Sequence, residues 1–156
     1  MSKLPGIDAC EILELPKIAD ARGNLTFVEQ QRHVPFEIRR VFFLYDVPTG
    51  ADRGAHAHRE QHQFLICLSG SFDVEVDDGA GRRSIHLNRP WKGLHVPPMI
   101  WAAEKNFDPG SVCLVLSSGL FAEDDYIRDY QAYLRTRQRA MGGSMRPPAD
   151  GGKGYS

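Results

Sequence analysis

The feature that most constrains the fold of this chain is a series of short apolar runs separated by turn residues. Seven such runs follow one another through the middle of the sequence, at 25–30, 39–46, 62–69, 71–77, 82–88, 93–97 and 111–117. Short runs at this spacing, with Gly, Pro and Asp between them, are typical of β-sandwiches and β-barrels. The sequence therefore predicts an all-β fold.

The run at 71–77 gives the clearest strand signal. Its apolar residues alternate strictly with acidic residues, which predicts a strand with one buried face and one wet face. The pair Asp78-Gly79 follows directly, and Gly accepts the positive φ that a tight hairpin turn needs. We therefore expect the run at 71–77 to pair with the run at 82–88.

The period of the apolar residues changes from Glu123 onwards. Acidic residues lead this segment and Arg135, Arg137 and Arg139 trail it, an order that suits the dipole of a helix. We expect one C-terminal amphipathic α-helix packed outside the barrel. The apolar residues with helical spacing are Tyr126, Ile127, Tyr130, Tyr133 and Leu134.

The length of 156 residues is close to the common size of one domain. We interpret residues 1–140 as a single domain. The segment 141–156 is rich in Gly and Pro and contains few apolar residues, so its burial would not offset the entropy lost on ordering. We expect this segment to be a disordered tail.

Charge and composition exclude several classes of function. Nineteen Lys and Arg residues balance twenty Asp and Glu residues, so no overall field attracts the chain to nucleic acid or to an anionic membrane. The N-terminus lacks a secretory signal, and no run approaches the roughly 20 apolar residues that span a bilayer. We expect a cytoplasmic protein that binds neither nucleic acid nor membrane. Its three cysteines are expected to be reduced, with Cys67 and Cys113 in the core.

The segment 53–58, Arg-Gly-Ala-His-Ala-His, is the most informative for function. Two residues separated by one position on a strand point to the same face, so His56 and His58 share one environment. Imidazole titrates near neutral pH and can act as an acid or a base. The alternative for an isolated pair of this kind is two surface histidines or two satisfied core histidines.

The spacing of this histidine pair matches the first sequence motif of the cupins. His-x-His is followed by four residues and Gln63, and then by six residues and Gly70. In metal-binding cupins the position of Gln63 is Glu, and a later strand supplies a third His where this chain has Ala102. Gln and Ala do not replace these anionic and imidazole donors. We therefore expect no metal and no other cofactor.

Three longer segments resemble the sugar-nucleotide 3,4-ketoisomerases. They are FEIRRVFFLYDVPTGADRGAHAHREQHQFLICLSGSFDVEV (36–76), GLHVPPMIW (93–101) and EDDYIRDYQAYL (123–134). The resemblance implies a cupin (jelly-roll type) barrel that forms a homodimer and uses no metal. It also implies a substrate, dTDP-4-keto-6-deoxyglucose, whose keto group moves from C4 to C3 through an enediol before a transaminase makes a 3-amino sugar.

The same resemblance suggests roles for individual residues. It implies that His56 is the catalytic base and that His58 is the partner that orients it or relays a proton. Arg22 falls where the family carries Arg or Tyr facing the sugar. Arg40 and Arg53 are candidates for diphosphate or enediolate contacts, because a guanidinium grips phosphate through two hydrogen bonds. The alternative for each arginine is a solvated surface or turn residue.

Three positions depart from the family pattern. Phe42 replaces a Tyr, Trp101-Ala102 replaces Trp followed by His or Arg, and Leu120-Phe121 replaces a pair of Tyr. These changes remove polar groups and make the expected pocket more apolar. Phe42, Gln63 and Trp101 remain candidates for its lining, although an aromatic residue such as Phe42 is more often plain core.

Several alternatives stay open at this point. The chain could bind a sugar nucleotide without turnover, act as a dTDP-4-keto sugar 3,5-epimerase, or be a metal-dependent cupin oxygenase. The homodimer has one argument from the residues themselves, because a segment such as Ile12-Leu13 could pair with the open sheet edge of a neighbouring copy.

Overall fold

The computed structural model describes residues 4–142 and consists mainly of two five-stranded antiparallel sheets. The first sheet has the strand order β1-β9-β6-β11-β4 and the second has the order β12-β5-β10-β7-β8, while β2 and β3 form a separate hairpin. The strands are β1 (Glu11–Glu14), β2 (Lys17–Asp20), β3 (Gly23–Thr26), β4 (Arg40–Leu44), β5 (Arg53–His58), β6 (Gln63–Ser69), β7 (Phe72–Asp77), β8 (Arg82–Leu87), β9 (Lys92–Val96), β10 (Trp101–Lys105), β11 (Val112–Ser117) and β12 (Tyr126–Ile127).

Every apolar run that the sequence suggested as a strand contains one, and the predicted all-β class is confirmed. The run at 25–30 is strand only at its beginning, because β3 ends at Thr26. The chain beyond it leaves the hairpin, and Val34 and Phe36 pack with Phe64, Ile66 and other residues in a second core cluster.

The main core lies between the two sheets and is built from strands of both. Strands β6, β9 and β11 contribute from the first sheet, and β7 and β8 contribute from the second. Phe72, Val74 and Val76 are fully buried there, as the alternation in 71–77 predicted. Cys67 and Cys113 also lie in this core as free thiols, and burial raises the pKa of both.

The hairpin predicted at Asp78-Gly79 is confirmed. Strands β7 and β8 pair from Phe72 opposite Leu87 to Asp77 opposite Arg82. The backbone N–H of Asp78 donates to the carbonyl of Gly81, and Gly79 has a φ of 86°, which a residue with a side chain adopts only with strain. These features close the turn.

The C-terminal helix packs outside the barrel as predicted, but it starts later than the periodicity indicated. Helix α1 covers Tyr130–Ala140, and the side chain of Asp129 caps it by accepting from the N–H of Ala132 at 2.8 Å. The preceding residues form a short 3₁₀ turn at Glu123–Asp125 and then strand β12, which pairs with β5. The helical prediction for Tyr126 and Ile127 is therefore wrong, since they pair with His58 and Ala57.

The N-terminal strand β1 also differs from expectation. It pairs with β9 of the same chain, with Ile12 opposite Leu94 and Leu13 opposite Gly93. The segment Ile12-Leu13 was expected to pair with a sheet edge of a neighbouring copy, but it pairs with an edge of its own chain. The homodimer loses this support and stays a prediction.

Two expectations meet the limits of the described residues. The predicted disordered tail lies outside them from residue 143 onwards. Within 4–142, no helix combines the length and apolar character needed to cross a bilayer.

Candidate functional site

A cavity of about 400 Å³ opens on β5, a volume within the usual range for small-molecule sites. We call it the outer cavity. A much smaller space that shares the lining residues Gly54, His56, Gln63 and Glu104 with it is called the inner recess. The outer cavity is lined by Phe42, Leu44, Asp52, Arg53, Gly54, Ala55, His56, Gln63, Glu104, Tyr126 and Arg128. The inner recess is lined by Gly54, His56, His58, Gln61, Gln63, Leu65, Val96, Pro97, Ile100, Ala102 and Glu104.

His58 is held on both sides of its ring. Its Nδ1 lies 2.9 Å from Oδ2 of Asp125, and its Nε2 lies 2.9 Å from the amide nitrogen of Gln63. The amide nitrogen is only a donor, so Nε2 accepts and Nδ1–H donates to the carboxylate. Burial lowers the pKa of His58, although the hydrogen bond with Asp125 opposes this effect. His58 is thus a neutral imidazole of fixed orientation.

Asp125 is in turn fixed by the backbone. Its second oxygen, Oδ1, accepts from the N–H of Glu60 at 2.8 Å. Each oxygen of the carboxylate therefore has one donor, and the side chain is buried. Asp125 belongs to the 3₁₀ turn before β12, so the segment that sequence periodicity assigned to a helix supplies the partner of His58.

His56 has a different environment from its neighbour. Its ring meets the rings of His58 and Tyr126 edge-on, at centroid distances of 5.0 and 4.9 Å, and no hydrogen bond joins it to the described residues. Burial lowers its pKa to about 4, and positive charge on His58 when that ring is protonated, on Arg128 and on Arg40 acts in the same direction. At neutral pH His56 is therefore an unprotonated imidazole with a nitrogen available to a ligand.

Sequence reasoning did not identify Tyr126 and Arg128 as cavity residues. Tyr126 lies opposite His58 in the β12–β5 pair, and its ring is 4.4 Å from the His58 ring. The Arg128 guanidinium lies 4.2 Å above the same Tyr126 ring and pairs with Glu123 through contacts of 2.7 and 3.0 Å. The segment DYIRDY is part of the family resemblance seen in the sequence. Its apolar residues have helical spacing, however, and this spacing did not indicate that Tyr126 and Ile127 form a strand.

Four of the predicted site residues on β4, β5 and β6 meet in the outer cavity. Phe42 forms part of the wall, and Arg53 is exposed at the rim. Gln63 is buried and links the outer cavity to His58. His56 lies between them. Because His56 and His58 both border the inner recess, the spacing argument that placed the histidines on one face of a strand holds.

Arg40 lies beside the site and does not line either space. One terminal nitrogen donates to Oε1 of Gln61 at 3.1 Å, and its guanidinium carbon is 5.2 Å from the centre of the Phe42 ring. Its Nε is buried without a partner among residues 4–142. Arg40 therefore adds positive charge near His56 from behind the cavity wall.

Arg22 and Trp101 are not brought to the cavity. Arg22 lies in the turn between β2 and β3 with a side chain that is 91% exposed, and it pairs with Asp20 at 2.7 Å. Trp101 packs against Tyr130 and Tyr133 of α1. Successive residues of a strand face opposite sides, so Ala102 faces the inner recess and Trp101 faces the helix.

Ala102 stands where the sequence comparison placed a missing ligand. It pairs directly with His56 across β5 and β10. Its methyl group lines the inner recess together with His58 and Gln63. Among residues 4–142, no group of three or more His, Cys, Asp or Glu side chains is arranged to hold a metal ion.

Glu104 is a further residue that sequence reasoning missed. Its carboxyl lies on β10 two residues after Ala102, on the same face, and it borders both the outer cavity and the inner recess. Burial raises its pKa to about 7. A charged residue inside an apolar barrel is not a default expectation from sequence, since carboxylates are rarely buried without a partner.

Comparison with known proteins gives one family match. A family model described as FdtA, WxcM-like, C-terminal matches residues 8–138. Among curated proteins, the chain is 38% identical over 125 residues to TDP-4-oxo-6-deoxy-alpha-D-glucose-3,4-oxoisomerase of Aneurinibacillus thermoaerophilus. This match covers 80% of the chain and 90% of the relative.

Solved structures give the same picture. A histidine-to-asparagine mutant of the 3,4-ketoisomerase QdtA from Thermoanaerobacterium thermosaccharolyticum, in complex with TDP-4-keto-6-deoxyglucose, is 35% identical with a TM-score of 0.82, covering 83% of this chain and 94% of that chain. The TDP-quinovose 3,4-ketoisomerase WlaRB from Campylobacter jejuni is 44% identical with a TM-score of 0.78, covering 81% of this chain and 97% of that chain. These similarities confirm the predicted cupin type of jelly roll.

Proposed function

The chain belongs to the FdtA (WxcM-like, C-terminal) family, and we propose that it moves the keto group of a dTDP-4-keto-6-deoxyhexose from C4 to C3. In this reaction the C4 ketone acidifies the proton on C3. A base removes that proton, an enediol forms, and C4 receives a proton. The enzyme thus needs a base of suitable protonation state inside a cavity that accepts the sugar.

The observation that carries this proposal is the contrast between His56 and His58. Both nitrogens of His58 are engaged, by Asp125 and Gln63, whereas His56 is neutral and faces the outer cavity with its ring free of hydrogen bonds to residues 4–142. We assign His56 as the base that carries hydrogen between C3 and C4. His58 supports the His56 ring by edge-on contact at 5.0 Å.

Two arginines at the rim suit the anionic part of the substrate. Arg53 and Arg128 both border the outer cavity and are exposed. Guanidinium groups bind phosphate oxygens through paired, charge-assisted hydrogen bonds. We assign the diphosphate to this rim, with the sugar directed inward toward His56.

The apolar wall at Phe42 is relevant to the choice between an isomerase and a protein that binds the sugar nucleotide without turnover. Phe42 and Ala102 lack the polar groups that the family pattern carries at these positions, which is the feature that favours a binding protein without turnover. A hydroxyl at residue 42 is not required for the assignment of His56, because the base is supplied by β5. Turnover is therefore the property to measure.

One experiment separates the candidate functions. The protein is incubated with dTDP-4-keto-6-deoxyglucose in deuterated water, and the sugar protons are followed by NMR. Exchange coupled to formation of the 3-keto product supports the proposal. Exchange at C5 marks a 3,5-epimerase, and binding without exchange marks a binding protein; either result would contradict the proposal.

The proposal extends to assembly and pathway. Exposed apolar side chains on the first sheet (Val41, Phe43 and Leu68) and just after its strand β4 (Tyr45) offer a face for a second copy, in keeping with a homodimer. A 3-keto sugar is also the substrate that a transaminase would need to make a 3-amino sugar. Light scattering that gave the mass of one chain at micromolar concentration would contradict the homodimer.

A further inference from the structure

The carboxyl group of Glu104 is buried and incompletely paired. Its side chain lies in the middle of β10, opposite Val74 of β7, and the residue is 7% exposed. Its Oε2 atom has no hydrogen-bond partner among residues 4–142. An unsatisfied buried polar atom costs about 1–3 kcal/mol, so a carboxyl retained at this position requires an explanation.

The position of this carboxyl is linked to the catalytic strand. Gly54, His56 and His58 alternate along β5 and all border the inner recess. Gly54 has a φ of 69°, and a Cβ atom built on it would overlap with Oε2 of Glu104. The carboxyl thus fills the space that a side chain of residue 54 would occupy, in the same row as the two histidines.

Burial, and not neighbouring charge, favours the protonated form of Glu104. Burial raises its pKa to about 7, and Arg53 on β5 opposes this effect. On β11 the neighbouring titratable group is the Cys113 thiol, whose pKa burial raises and Glu104 raises further. His56 on β5 and Arg128 beyond β12 border the same outer cavity. At neutral pH Glu104 therefore exists in both protonated and ionised forms and is able to exchange a proton.

We propose that Glu104 is a catalytic residue that carries the proton between the two sugar oxygens O4 and O3, while His56 carries the proton between C3 and C4. This inference rests on the proposed ketoisomerase function. It divides the reaction into two proton transfers on carbon and two on oxygen. One residue of β5 and one residue of β10 serve the two kinds of transfer.

The proton and electron balance is as follows. His56 takes the proton from C3, the electrons of that C–H bond form the C3=C4 double bond, and O4 takes a proton from the Glu104 carboxyl. The Glu104 carboxylate then takes the proton from O3, the C3=O bond forms, and the electrons of the double bond take the proton from His56 at C4. Both residues return to their starting protonation states, and no oxidant or reductant is needed.

The pocket also explains why this role falls to Glu104. His58 is engaged at both nitrogens, so it has no free acceptor or donor for the sugar oxygens. Oε2 of Glu104 has no hydrogen-bond partner among residues 4–142, and Glu104 lines the same space. A sugar hydroxyl that reached this oxygen would supply the hydrogen bond that it lacks.

The test compares Glu104→Gln with wild type and with a matched control, Glu75→Gln. Gln keeps the shape of the side chain but does not transfer a proton. Glu75 lies on the neighbouring strand β7 and pairs with Lys105 and Arg82, away from the cavity. We expect Glu104→Gln to lower kcat by roughly 10²–10⁴-fold with dTDP binding retained, and Glu75→Gln to leave kcat unchanged.

The pH profile gives an independent readout. The acid form of Glu104 is lost as pH rises through about 7, so wild-type kcat/KM should fall above that pH, and the limb should be absent in Glu104→Gln. Near-normal kcat in Glu104→Gln would overturn the inference. If Tyr126→Phe lost turnover while Glu104→Gln kept it, the role would belong to the Tyr126 hydroxyl, and this result would also overturn the inference.

The inference and the proposed function fail in different ways. Wild-type protein that does not isomerise the sugar would overturn both. Wild-type protein that isomerises, with an unaffected Glu104→Gln variant, would overturn only the role of Glu104. If Glu104→Gln did not fold, the wild-type profile alone would decide, because a kcat/KM that stayed flat through pH 9 excludes an acid of this kind.

Discussion

Nδ1 of His58 lies 2.9 Å from Oδ2 of Asp125, and this contact joins the strand that carries the histidine pair to the turn before β12. It fixes which nitrogen of His58 carries the proton. It also leaves Nε2 to accept from Gln63. The ring beside His56 is therefore immobile and neutral, which makes His56 the histidine that is free to react.

Replacing Asp125 with Asn should disturb this arrangement. The carboxylate accepts from both His58 and the N–H of Glu60, whereas an amide has only one oxygen and would present an N–H group to one of these donors. We expect turnover to fall by roughly 10- to 100-fold, the usual cost of losing a partner that orients a reactive ring. Steady-state kinetics with the same sugar nucleotide measure this effect.

The control for this variant is Asp124→Asn in the same turn. Asp124 is exposed and lines neither the outer cavity nor the inner recess, so its replacement should change turnover far less than Asp125→Asn. Equal kinetics for wild type and Asp125→Asn would show that the His58–Asp125 contact has no part in the reaction.

Glu104 should also make the free energy of unfolding depend on pH. Its pKa is about 7 in the folded state and near 4.5 when unfolded, so the unfolded state ionises first and the folded state loses stability as pH rises from 4.5 to 7. From these values, raising the pH from 5 to 8 should lower the unfolding free energy of wild type by about 2–3 kcal/mol relative to that of Glu104→Gln. Denaturant unfolding at the two pH values measures it. A difference that did not change with pH would contradict burial of an ionisable carboxyl here.

Two features favour glycine at position 54, namely its positive φ and the closeness of the Glu104 carboxyl. Gly50 shares only the positive φ and therefore serves as the control. Both residues have a positive φ, but a Cβ on Gly54 would overlap with Glu104, whereas a Cβ on Gly50 would meet nothing within 4 Å. Gly50→Ala should cost roughly 1–2 kcal/mol through backbone strain alone. Gly54→Ala should cost more, because the Glu104 carboxyl must move.

A double-mutant cycle tests this explanation. In a Glu104→Ala background the overlap is absent, so Gly54→Ala should then cost about as much as Gly50→Ala. An unchanged cost in that background would mean that the space at Gly54 is limited by something other than Glu104.

Metal removal should leave turnover unchanged. Gln63 donates to His58, and Ala102 offers only a methyl group opposite His56, so the two positions that would complete a cupin metal site carry no suitable ligand. Activity after dialysis against a chelator, together with elemental analysis of the purified protein, measures this. One tightly held metal per chain, with activity lost on its removal, would contradict the expectation.

Much of the fold was predictable because it depends on local patterns. Alternation in 71–77 and the Asp78-Gly79 turn defined a hairpin, and a one-residue gap placed His56 and His58 on one face. These features follow from the two-residue period of a strand and from the permissive backbone of Gly.

The missed parts of the site depend on contacts between distant segments. Tyr126 has helical spacing relative to Tyr130 and Tyr133, but the cap at Asp129 starts the helix later and leaves Tyr126 free to pair with β5. Trp101 lies next to Ala102 in sequence, yet the pleat of β10 turns it toward α1. Burial of Glu104 depends on the space left by Gly54 on another strand, which no pattern within β10 reveals.

The most direct test of the central claim is the turnover of the His56→Asn variant. Asn keeps a polar side chain but removes the titrating imidazole, while His58, Asp125 and Gln63 keep their contacts. We predict that conversion of dTDP-4-keto-6-deoxyglucose falls by roughly 10²–10⁴-fold, that exchange at C3 in deuterated water is lost with it, and that dTDP binding barely changes. Near-normal turnover in His56→Asn, or loss of dTDP binding with the fold intact, would contradict the assignment of His56 as the base.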